Sequence, residues 1–367
     1  MADLTDLIKI SRKYGSDPAY LLAGGGNTSM KEDGVLYVKA SGFALSDITE
    51  EGFVRMNLSA MGEIWNKNYP EESAAREAEI LKDMMASRLE GEVGRPSVEA
   101  LLHSNINGRI VVHTHPALVN GMTCGKDGEK ICKELFGDKA LWVDSVNPGF
   151  ILAKTIRTAV EKHMEGGLPA PEMIFLQNHG LFVGADTVTE IEDIHSGMMK
   201  KLAAYIKREP AVDEVPLPAA FLADFSDIAS KAYGKKMEVC GVATTEVLIY
   251  AESKNSFAPL ALPFNPDQIV YSGPGPLRLD KIEDLSSELN TFMDRWGKIP
   301  QGVLIKDIGL FSVGDTARKA ATALALVLDS IKIAVYSESF GGPNPMTEDQ
   351  IIFIRDWEVE SFRAKVQ

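Results

Sequence analysis

Two histidines separated by one residue follow the apolar run Ile110 to Val112 in the segment IVVHTHP. On a strand, alternate side chains share one face, so His113 and His115 project side by side and can both reach one ion. Pro116 cannot donate to a neighbouring strand, which places the pair at a strand's end, where a pocket can open. Imidazole is the commonest protein ligand for such metals, so the spacing predicts a metal site rather than two polar residues on a solvated strand.

A third ligand is expected among the four remaining histidines. His179 follows the apolar run Met173 to Leu176 and therefore also lies at the end of a predicted strand. His163 lies in the polar segment EKHMEGG and is expected to be exposed. His103 and His195 lie on predicted helices, and each is either a hydrogen-bonded structural residue or a group that supports a metal ligand.

A carboxylate lies ahead of the paired histidines in the segment RPSVEALLH. Pro96 and Ser97 mark a helix start and put Glu99 in the first helical turn. A glutamate there complements the helix dipole, which is worth about 0.3–1 kcal/mol. Beside a bound divalent ion, the same carboxylate can serve as a ligand and as a proton carrier. On spacing alone the helix-dipole interpretation of Glu99 is favoured, and the nearby histidine cluster is what supports the second interpretation.

Two glycine-containing segments are candidate anion contacts. The segment AGGGNTS, Ala23 to Ser29, lets backbone N–H groups approach an anion while hydroxyls and an amide complete the shell. It matches neither a nucleotide P-loop nor a dinucleotide fingerprint, and a plain glycine turn is the alternative. The second segment contains Lys39, Ser41 and Gly42, which could equally be a solvated charge and an ordinary turn.

The elements that must position these residues are of both kinds. Short apolar runs predict buried strands at Ile110–Val112 and Met173–Leu176, and helical spacing predicts helices at Ala74–Leu89 and Thr187–Lys207. The segment KREPAVDEVPLPAAFL, Lys207 to Leu222, contains three prolines within nine residues, which resist a continuing helix. We therefore predict a mixed α/β chain with domains at residues 1–212 and 213–367.

The second domain resembles part of the first. The segments EMIFLQNHGLFVGADT from Glu172 and QGVLIKDIGLFSVGDT from Gln301 match at several positions, and both run into a long apolar helix. This pattern indicates a degenerate repeat, although strand, glycine turn and helix recur in many folds. Ile308 stands where the first segment has His179, and no histidine follows His195. The second half therefore cannot supply histidine ligands.

Composition excludes several protein classes. The 367 residues are 45% hydrophobic and 25% charged, which is typical of a globular chain of about two domains. A net charge of -14 disfavours nucleic acid as a partner. Three cysteines without a C-x-x-C pair are expected to be reduced thiols. The amino terminus lacks a signal peptide and no apolar run approaches the ~18 residues of a membrane span, so we expect a cytoplasmic protein without membrane contact.

Five motifs in this order resemble the class II aldolase/adducin family: GNTS, Ser41-Gly42, Ser97-Val98-Glu99, His113-Thr114-His115-Pro116 and Asn178-His179-Gly180. The resemblance covers about Leu21 to Lys207 and extends weakly to the carboxyl end. Within the family the chain looks most like the aldolase portion of bifunctional rhamnulose-1-phosphate aldolase/dehydrogenase proteins. We recognise no dehydrogenase portion in it.

The resemblance implies an α/β fold with a mostly antiparallel sheet between helical layers, here followed by a degenerate second copy of the same unit. It implies Zn²⁺, or another divalent transition metal, on three histidines, with Glu99 as a ligand or acid/base. It also implies a homo-oligomer that binds a small phosphorylated sugar. The residues implied are His113, His115 and His179 for the metal, and Asn27, Thr28, Ser41, Gly42 and Ser97 for the substrate phosphate.

The activity implied is cleavage of a ketose 1-phosphate, such as rhamnulose or fuculose 1-phosphate, to dihydroxyacetone phosphate and a hydroxyaldehyde. Alternatives are an epimerase, dehydratase or decarboxylase on the same scaffold, or a non-catalytic adducin-like interaction domain. Fuculose-phosphate aldolases use a tyrosine as proton donor soon after the His-x-His strand, but no tyrosine occurs between Tyr69 and Tyr205. Val98 replaces a serine of those aldolases, which predicts a thinner phosphate shell.

Overall fold

A computed structural model describes residues 2–217 and 219–357 of the chain. The chain divides into two units. Unit 1 comprises the residues up to Val119, Glu129–Ala204 and Trp357, and unit 2 comprises Asn120–Gly128 and Tyr205–Asp356. The division therefore falls eight residues before the predicted boundary at 212, and unit 2 takes an additional earlier segment. The predicted second domain includes residues 218 and 358–367, which lie outside the described residues.

Several strands of unit 1 are short runs of buried residues, such as the fully buried IVVHT. They are β1 (Asn27–Glu32), β2 (Val35–Lys39), β3 (Phe53–Asn57), β4 (Ile110–Thr114), β5 (Ala140–Val143), β6 (Met173–Leu176) and β7 (Gly180–Ala185). Among the described residues they form one sheet in the order β3-β2-β1-β4-β7-β6-β5. Only the pair β5 and β6 is parallel. The predicted mostly antiparallel sheet is confirmed.

The helices of the first 205 residues are α1 (Thr5–Gly15), α2 (Leu58–Ile64), α3 (Ser73–Ala86), α4 (Ala100–Asn105), α5 (Ala117–Thr123), α6 (Gly128–Phe136), α7 (Phe150–Glu165) and α8 (Val188–Tyr205), with 3₁₀ turns at Glu50–Gly52 and Gly137–Lys139. Side chains of α2, α3, α4 and α7 share one apolar core with one face of the sheet. On the other face, α1 contacts β1 through a Ser11–Thr28 hydrogen bond and contacts α8 through Tyr14 and His195. The sheet therefore lies between two helical layers, as expected, and α3 and α8 confirm the two predicted helices to within three residues at each end.

Unit 2 contains β8 (Glu238–Val242), β9 (Leu277–Leu279), β10 (Gly302–Ile305) and β11 (Gly309–Gly314). Its helices are α9 (Ala219–Ala232), α10 (Thr245–Ala251), α11 (Lys254–Phe257), α12 (Pro266–Ser272), α13 (Leu285–Trp296), α14 (Ala317–Ser337) and α15 (Glu348–Asp356), with 3₁₀ turns at Ala258–Leu260, Ile282–Asp284 and Glu338–Phe340. Within the described residues the sheet has the order β8-β11-β10-β9. Apolar side chains of β9, β10, β11, α9 and α13 form its core.

The sheet of unit 2 has the topology of the β4-β7-β6-β5 half of unit 1. Each contains an antiparallel hairpin, β6–β7 or β10–β11, whose last pairs are Leu176 with Gly180 and Ile305 with Gly309. In each, a parallel strand precedes the hairpin and a long helix follows it. The described sheet of unit 2 lacks counterparts of β1, β2 and β3. The repeat thus reproduces the second part of unit 1.

No apolar stretch of membrane-spanning length was expected from the sequence, and one helical segment differs from that expectation. Residues Ala317–Phe340 are long and apolar enough to cross a membrane by length and composition, with a mean hydropathy of 1.5 in the most apolar window. Of that window, 61% is buried inside the protein. This burial is typical of the core helix of a globular unit.

Candidate metal centre

Three elements bring three imidazoles together. His113 is the fourth residue of β4 and is fully buried, and His115 lies one residue beyond the end of that strand. His179 lies in the turn between β6 and β7, and β7 pairs with β4 so that Phe182 lies opposite His113. One nitrogen from each of the three rings lies within 4.8 Å of the other two. The sequence predicted this convergence, and the strand pairing produces it.

The orientation of His113 suits a metal ligand. Its Nδ1 lies 2.9 Å from the backbone carbonyl of Leu181, to which it donates, so Nε2 is the acceptor nitrogen. Nε2 lies 2.8 Å from Nε2 of His115. The Phe182 ring stacks on the imidazole with centroids 3.9 Å apart and fixes its plane. A backbone carbonyl on the second ring nitrogen is the arrangement that orients metal-binding histidines in proteins. The donor set therefore fits a divalent transition metal.

The turn that carries His179 needs special backbone geometry. Asn178 has φ +56°, in the left-handed region that asparagine tolerates better than most residues. The residue after His179, Gly180, allows the close approach of β4, because a Cβ there would lie 2.5 Å from Cδ2 of His115 and 2.6 Å from the carbonyl of Thr114. The asparagine and glycine on either side of His179 are thus what lets its ring reach the other two.

Glu99 faces the imidazole cluster. Its Oε1 lies 3.5 Å from Nε2 of His113 and 3.6 Å from Nε2 of His179, while Oε2 accepts a hydrogen bond from Nδ2 of Asn27. The residue is 9% exposed. Helix α4 begins at Ala100, so Glu99 directly precedes the helix instead of lying in its first turn as the sequence indicated. This position leaves the carboxylate available to the cluster.

Two of the segments predicted to bind phosphate lie side by side near Glu99. The N–H of Ser97 donates to the carbonyl of Lys39 at 3.0 Å, and the Ser41 hydroxyl donates to the carbonyl of Pro96 at 3.1 Å. Ser97 also accepts from the N–H of Glu99 at 3.2 Å. Lys39 is 5% exposed, so its ammonium is not on a solvated surface. The neighbouring Gly42 has φ +94°, a conformation that favours glycine.

The glycine loop ends at β1, and its two following residues point in opposite directions. Asn27 pairs with His113 and shares its face of the sheet. Thr28 lies on the other face, fully buried, with its hydroxyl 2.6 Å from that of Ser11. The structure therefore brings Asn27, but not the Thr28 hydroxyl, to the cluster.

The other three histidines are not part of the cluster. His195 is fully buried, donates from Nδ1 to the Ile191 carbonyl at 2.9 Å, and burial lowers its pKa to about 4, so it is a neutral structural residue. His103 is fully buried, and its Nδ1 lies 2.7 Å from the Ser29 hydroxyl. Burial lowers the pKa of His103 to about 3. His163 is half-buried, where the sequence indicated exposure.

The sequence indicated Ser29 only as a hydroxyl of the glycine segment and did not indicate Phe182, although both touch the surroundings of the site. Because side chains alternate between the two faces of a strand, Ser29 could have been placed on the same face as Asn27. Phe182 belongs to an apolar run and carries no such signal.

Sequence comparison connects this arrangement with known proteins. A family model described as the class II aldolase and adducin N-terminal domain matches residues 5–195. A curated relative, the uncharacterized oxidoreductase YuxG of Bacillus subtilis, is 24% identical over 407 residues, covering 98% of this chain and 58% of that protein. This chain thus spans little more than half the length of that relative.

Solved structures of similar proteins match a little more than half of this chain. The N-terminal class II aldolase domain of a conserved protein from Thermoplasma acidophilum is 25% identical with a TM-score of 0.47, covering 56% of this chain and 93% of that one. The L-fuculose-1-phosphate aldolase of Thermus thermophilus is 16% identical with a TM-score of 0.34, covering 55% of this chain and 92% of that one.

Proposed function

Because the chain belongs to the class II aldolase/adducin family, we propose that it is a metal-dependent aldolase, a carbon–carbon lyase. The substrate is a ketose 1-phosphate, such as rhamnulose or fuculose 1-phosphate, and the products are dihydroxyacetone phosphate and a hydroxyaldehyde. The observation that carries the proposal is the convergence of three imidazoles beside one carboxylate. A cytoplasmic location and a homo-oligomer stay predictions.

His113, His115 and His179 would bind the metal, with Zn²⁺ as the expected ion and other divalent transition metals as alternatives. When bound, a divalent cation supplies Lewis-acid stabilisation of the negative charge that develops as the carbon–carbon bond breaks. The chain orients the ligands in advance. The Leu181 carbonyl and the Phe182 ring fix the His113 imidazole, so little reorganisation accompanies binding.

Glu99 is the proposed general base. Its Oε2 accepts from Asn27, which leaves Oε1 directed at the imidazole cluster. A carboxylate fixed in this way can accept the hydroxyl proton of the substrate during cleavage, or carry the carbon-bound proton of the released enediolate. In the reverse direction it returns the same proton.

The phosphate site is proposed at the adjoining segments that contain Ser41, Gly42 and Ser97, together with the Asn27 amide. Ser41, Gly42 and Ser97 lie on loops near Glu99, and Asn27, the first residue of β1, donates to Glu99, so the set is suitably placed for a group remote from the bond that breaks. Binding energy from the phosphate then orients the reacting carbons. The hydroxyl of Thr28 is not included, because it bonds to Ser11 on the other face of β1.

The test is incubation of the metal-loaded protein with a panel of ketose 1-phosphates, coupled to detection of dihydroxyacetone phosphate. We expect one sugar of the panel to give dihydroxyacetone phosphate and an aldehyde in equal amounts. Epimerised ketose phosphate, or one carbonyl product and water, would instead identify another reaction on the scaffold. Purification without stoichiometric metal, and without turnover after reloading, would favour a binding module.

A further inference from the structure

One face of β1 carries a row of polar side chains. Asn27, Ser29 and Lys31 occupy alternate positions of the strand, so they point to the same side of the sheet. This is the side on which His113 lies, because Asn27 and His113 are directly paired. Polar residues in a strand that packs on an apolar core are costly unless each one is hydrogen-bonded.

Each residue of the row contacts helix α4 or the chain directly beside one of its ends. Asn27 donates to Glu99, the residue before the helix. Ser29 Oγ lies 2.7 Å from Nδ1 of His103, in the middle of the helix. Lys31 Nζ donates to the carbonyl of Ile106, directly after the helix, and to that of Gly108 at 3.2 Å. The row therefore follows α4 from its start to its end.

Helix α4 has six residues, Ala100–Asn105. Isolated helices shorter than about 12–15 residues are marginal in water, so tertiary contacts must fix its position. Ser29 and His103 are both fully buried, and burial keeps the His103 imidazole neutral, with a pKa of about 3. Their hydrogen bond thus forms away from water, where a lost partner leaves a buried polar atom unsatisfied.

We infer that Ser29, Lys31 and His103 are positioning residues, which hold α4 against β1 so that Oε1 of Glu99 faces His113 and His179. The strand that carries the row is paired with the strand that carries His113, so the row fixes the carboxylate relative to the imidazoles. This inference rests on the proposed role of Glu99. None of the three residues needs to touch substrate.

The first experiment compares Ser29→Ala with Ser104→Ala in steady-state kinetics. Both changes remove one hydroxyl, on β1 beside α4 or on α4 itself. Among the described residues the Ser104 hydroxyl donates within its own helix, to the Leu101 carbonyl at 2.8 Å. We expect Ser29→Ala to lower kcat about 10–100-fold without a matching rise in KM, as found for residues that orient a functional group. Ser104→Ala should keep the parent kcat.

A second pair of variants separates positioning from general destabilisation. His103→Phe keeps a ring against Phe182 but loses the bond to Ser29. If the two residues act through one contact, the double variant Ser29→Ala/His103→Phe should lose no more kcat than the more impaired single variant. Lys31→Met serves as the third test if Ser29→Ala does not fold.

A readout without substrate distinguishes failure of this inference from failure of the proposed function. Each variant is titrated with Co²⁺ alone and its visible absorption spectrum is recorded. Ser29→Ala and Lys31→Met should displace the Glu99 carboxylate and so change the Co²⁺ spectrum. Ser104→Ala should leave Glu99 in place and the spectrum unchanged. If the parent protein cleaves no ketose 1-phosphate, the proposed function is wrong and the spectra decide the inference. Parent-like spectra together with parent-like kcat, where there is turnover, would overturn it.

Discussion

At the scale of single residues, the site depends on His113, whose two ring nitrogens have separate tasks. Nδ1 donates to the Leu181 carbonyl, and Nε2 faces His115 and the Glu99 carboxylate. The ring is fully buried and stacked on Phe182. Its removal therefore takes away a ligand atom and its orientation at once.

His113→Ala should abolish metal binding and turnover together, because two imidazoles alone do not complete the donor set. Metal content by elemental analysis and dihydroxyacetone phosphate release are the measurements. His163→Ala, on α7, is the control and should keep both properties. A His113→Ala protein that retains stoichiometric metal would contradict the proposed ligand set.

Glu99→Gln should keep the metal and lose turnover, since the amide has nearly the shape of the carboxylate but cannot accept the proton. The expected loss in kcat is about 10²–10⁴-fold, the usual range for a general base. Elemental analysis on the same preparation shows whether metal is retained. Turnover near that of the parent protein would exclude the proton role of Glu99.

His195 makes the stability of the protein depend on pH. Burial lowers its pKa to about 4, below the ~6.5 of a free histidine. Between about pH 6.5 and 4, His195 therefore binds a proton in the unfolded chain but not in the folded one. The free energy of unfolding falls as the pH falls through this range. His195→Phe, between Tyr14 and Tyr20, should reduce this slope by up to about 1.4 kcal/mol per pH unit.

Urea unfolding at several pH values measures the His195 effect. Leu202→Ala is the matched control, because Leu202 is fully buried on the same helix and has no titratable group. It should lower the free energy of unfolding by the same amount at every pH. A His195→Phe variant with the parent's acid slope would show that this residue does not contribute to it.

At the scale of elements, β1 can pair with β4 only because the chain enters β1 through a glycine. Gly26 has φ +70°, and a Cβ there would lie 2.6 Å from the carbonyl of His113. Gly34, in the turn between β1 and β2, has φ +76° but no atom within 4 Å of such a Cβ. Both positions need a left-handed backbone conformation. Of the two, Gly26 alone also lacks the space for a Cβ atom.

Gly26→Ala should therefore destabilise the protein more than Gly34→Ala. The left-handed conformation costs about 1–2 kcal/mol in both variants. The clash should add about 1–3 kcal/mol in Gly26→Ala alone. Urea unfolding measures both values, and equal losses would contradict the close approach of β1 to β4.

The same elements show which strands and helix ends could be predicted from the sequence. The strands around His113 and His179 were predictable because short unbroken apolar runs indicate burial on both sides. The start of α4 was not, because Pro96 bridges to Ala40 beside β2, and this non-local pairing delays the helix to Ala100. A local capping pattern contains no information about such a partner.

At the scale of the whole molecule, the repeated topology relates a unit that carries the three-histidine cluster to a unit that lacks it. The pairing of β8 with β11 matches that of β4 with β7 and places Gly241 at the position of His113. The equivalents of His115 and His179 are then Ala243 and Ile308. These three positions in unit 2 carry no metal-binding side chain.

The full chain should accordingly bind one divalent cation, and His113→Ala should remove it. Elemental analysis after dialysis against Zn²⁺ gives the stoichiometry. Two equivalents per chain, with one of them retained in His113→Ala, would show a second site that the described residues do not reveal.

The sequence by itself determined the types of the candidate ligands, the buried strands beside them, and the absence of histidine from the repeat, because each of these is encoded in local spacing and residue chemistry. The tertiary structure decided which groups meet. Strand pairing brought His179 to the other two imidazoles, and strand alternation turned Asn27 towards Glu99 and Thr28 away from it. It also revealed the row on β1 that follows α4, since contacts between residues distant in the chain form only when the sheet and the helices pack together.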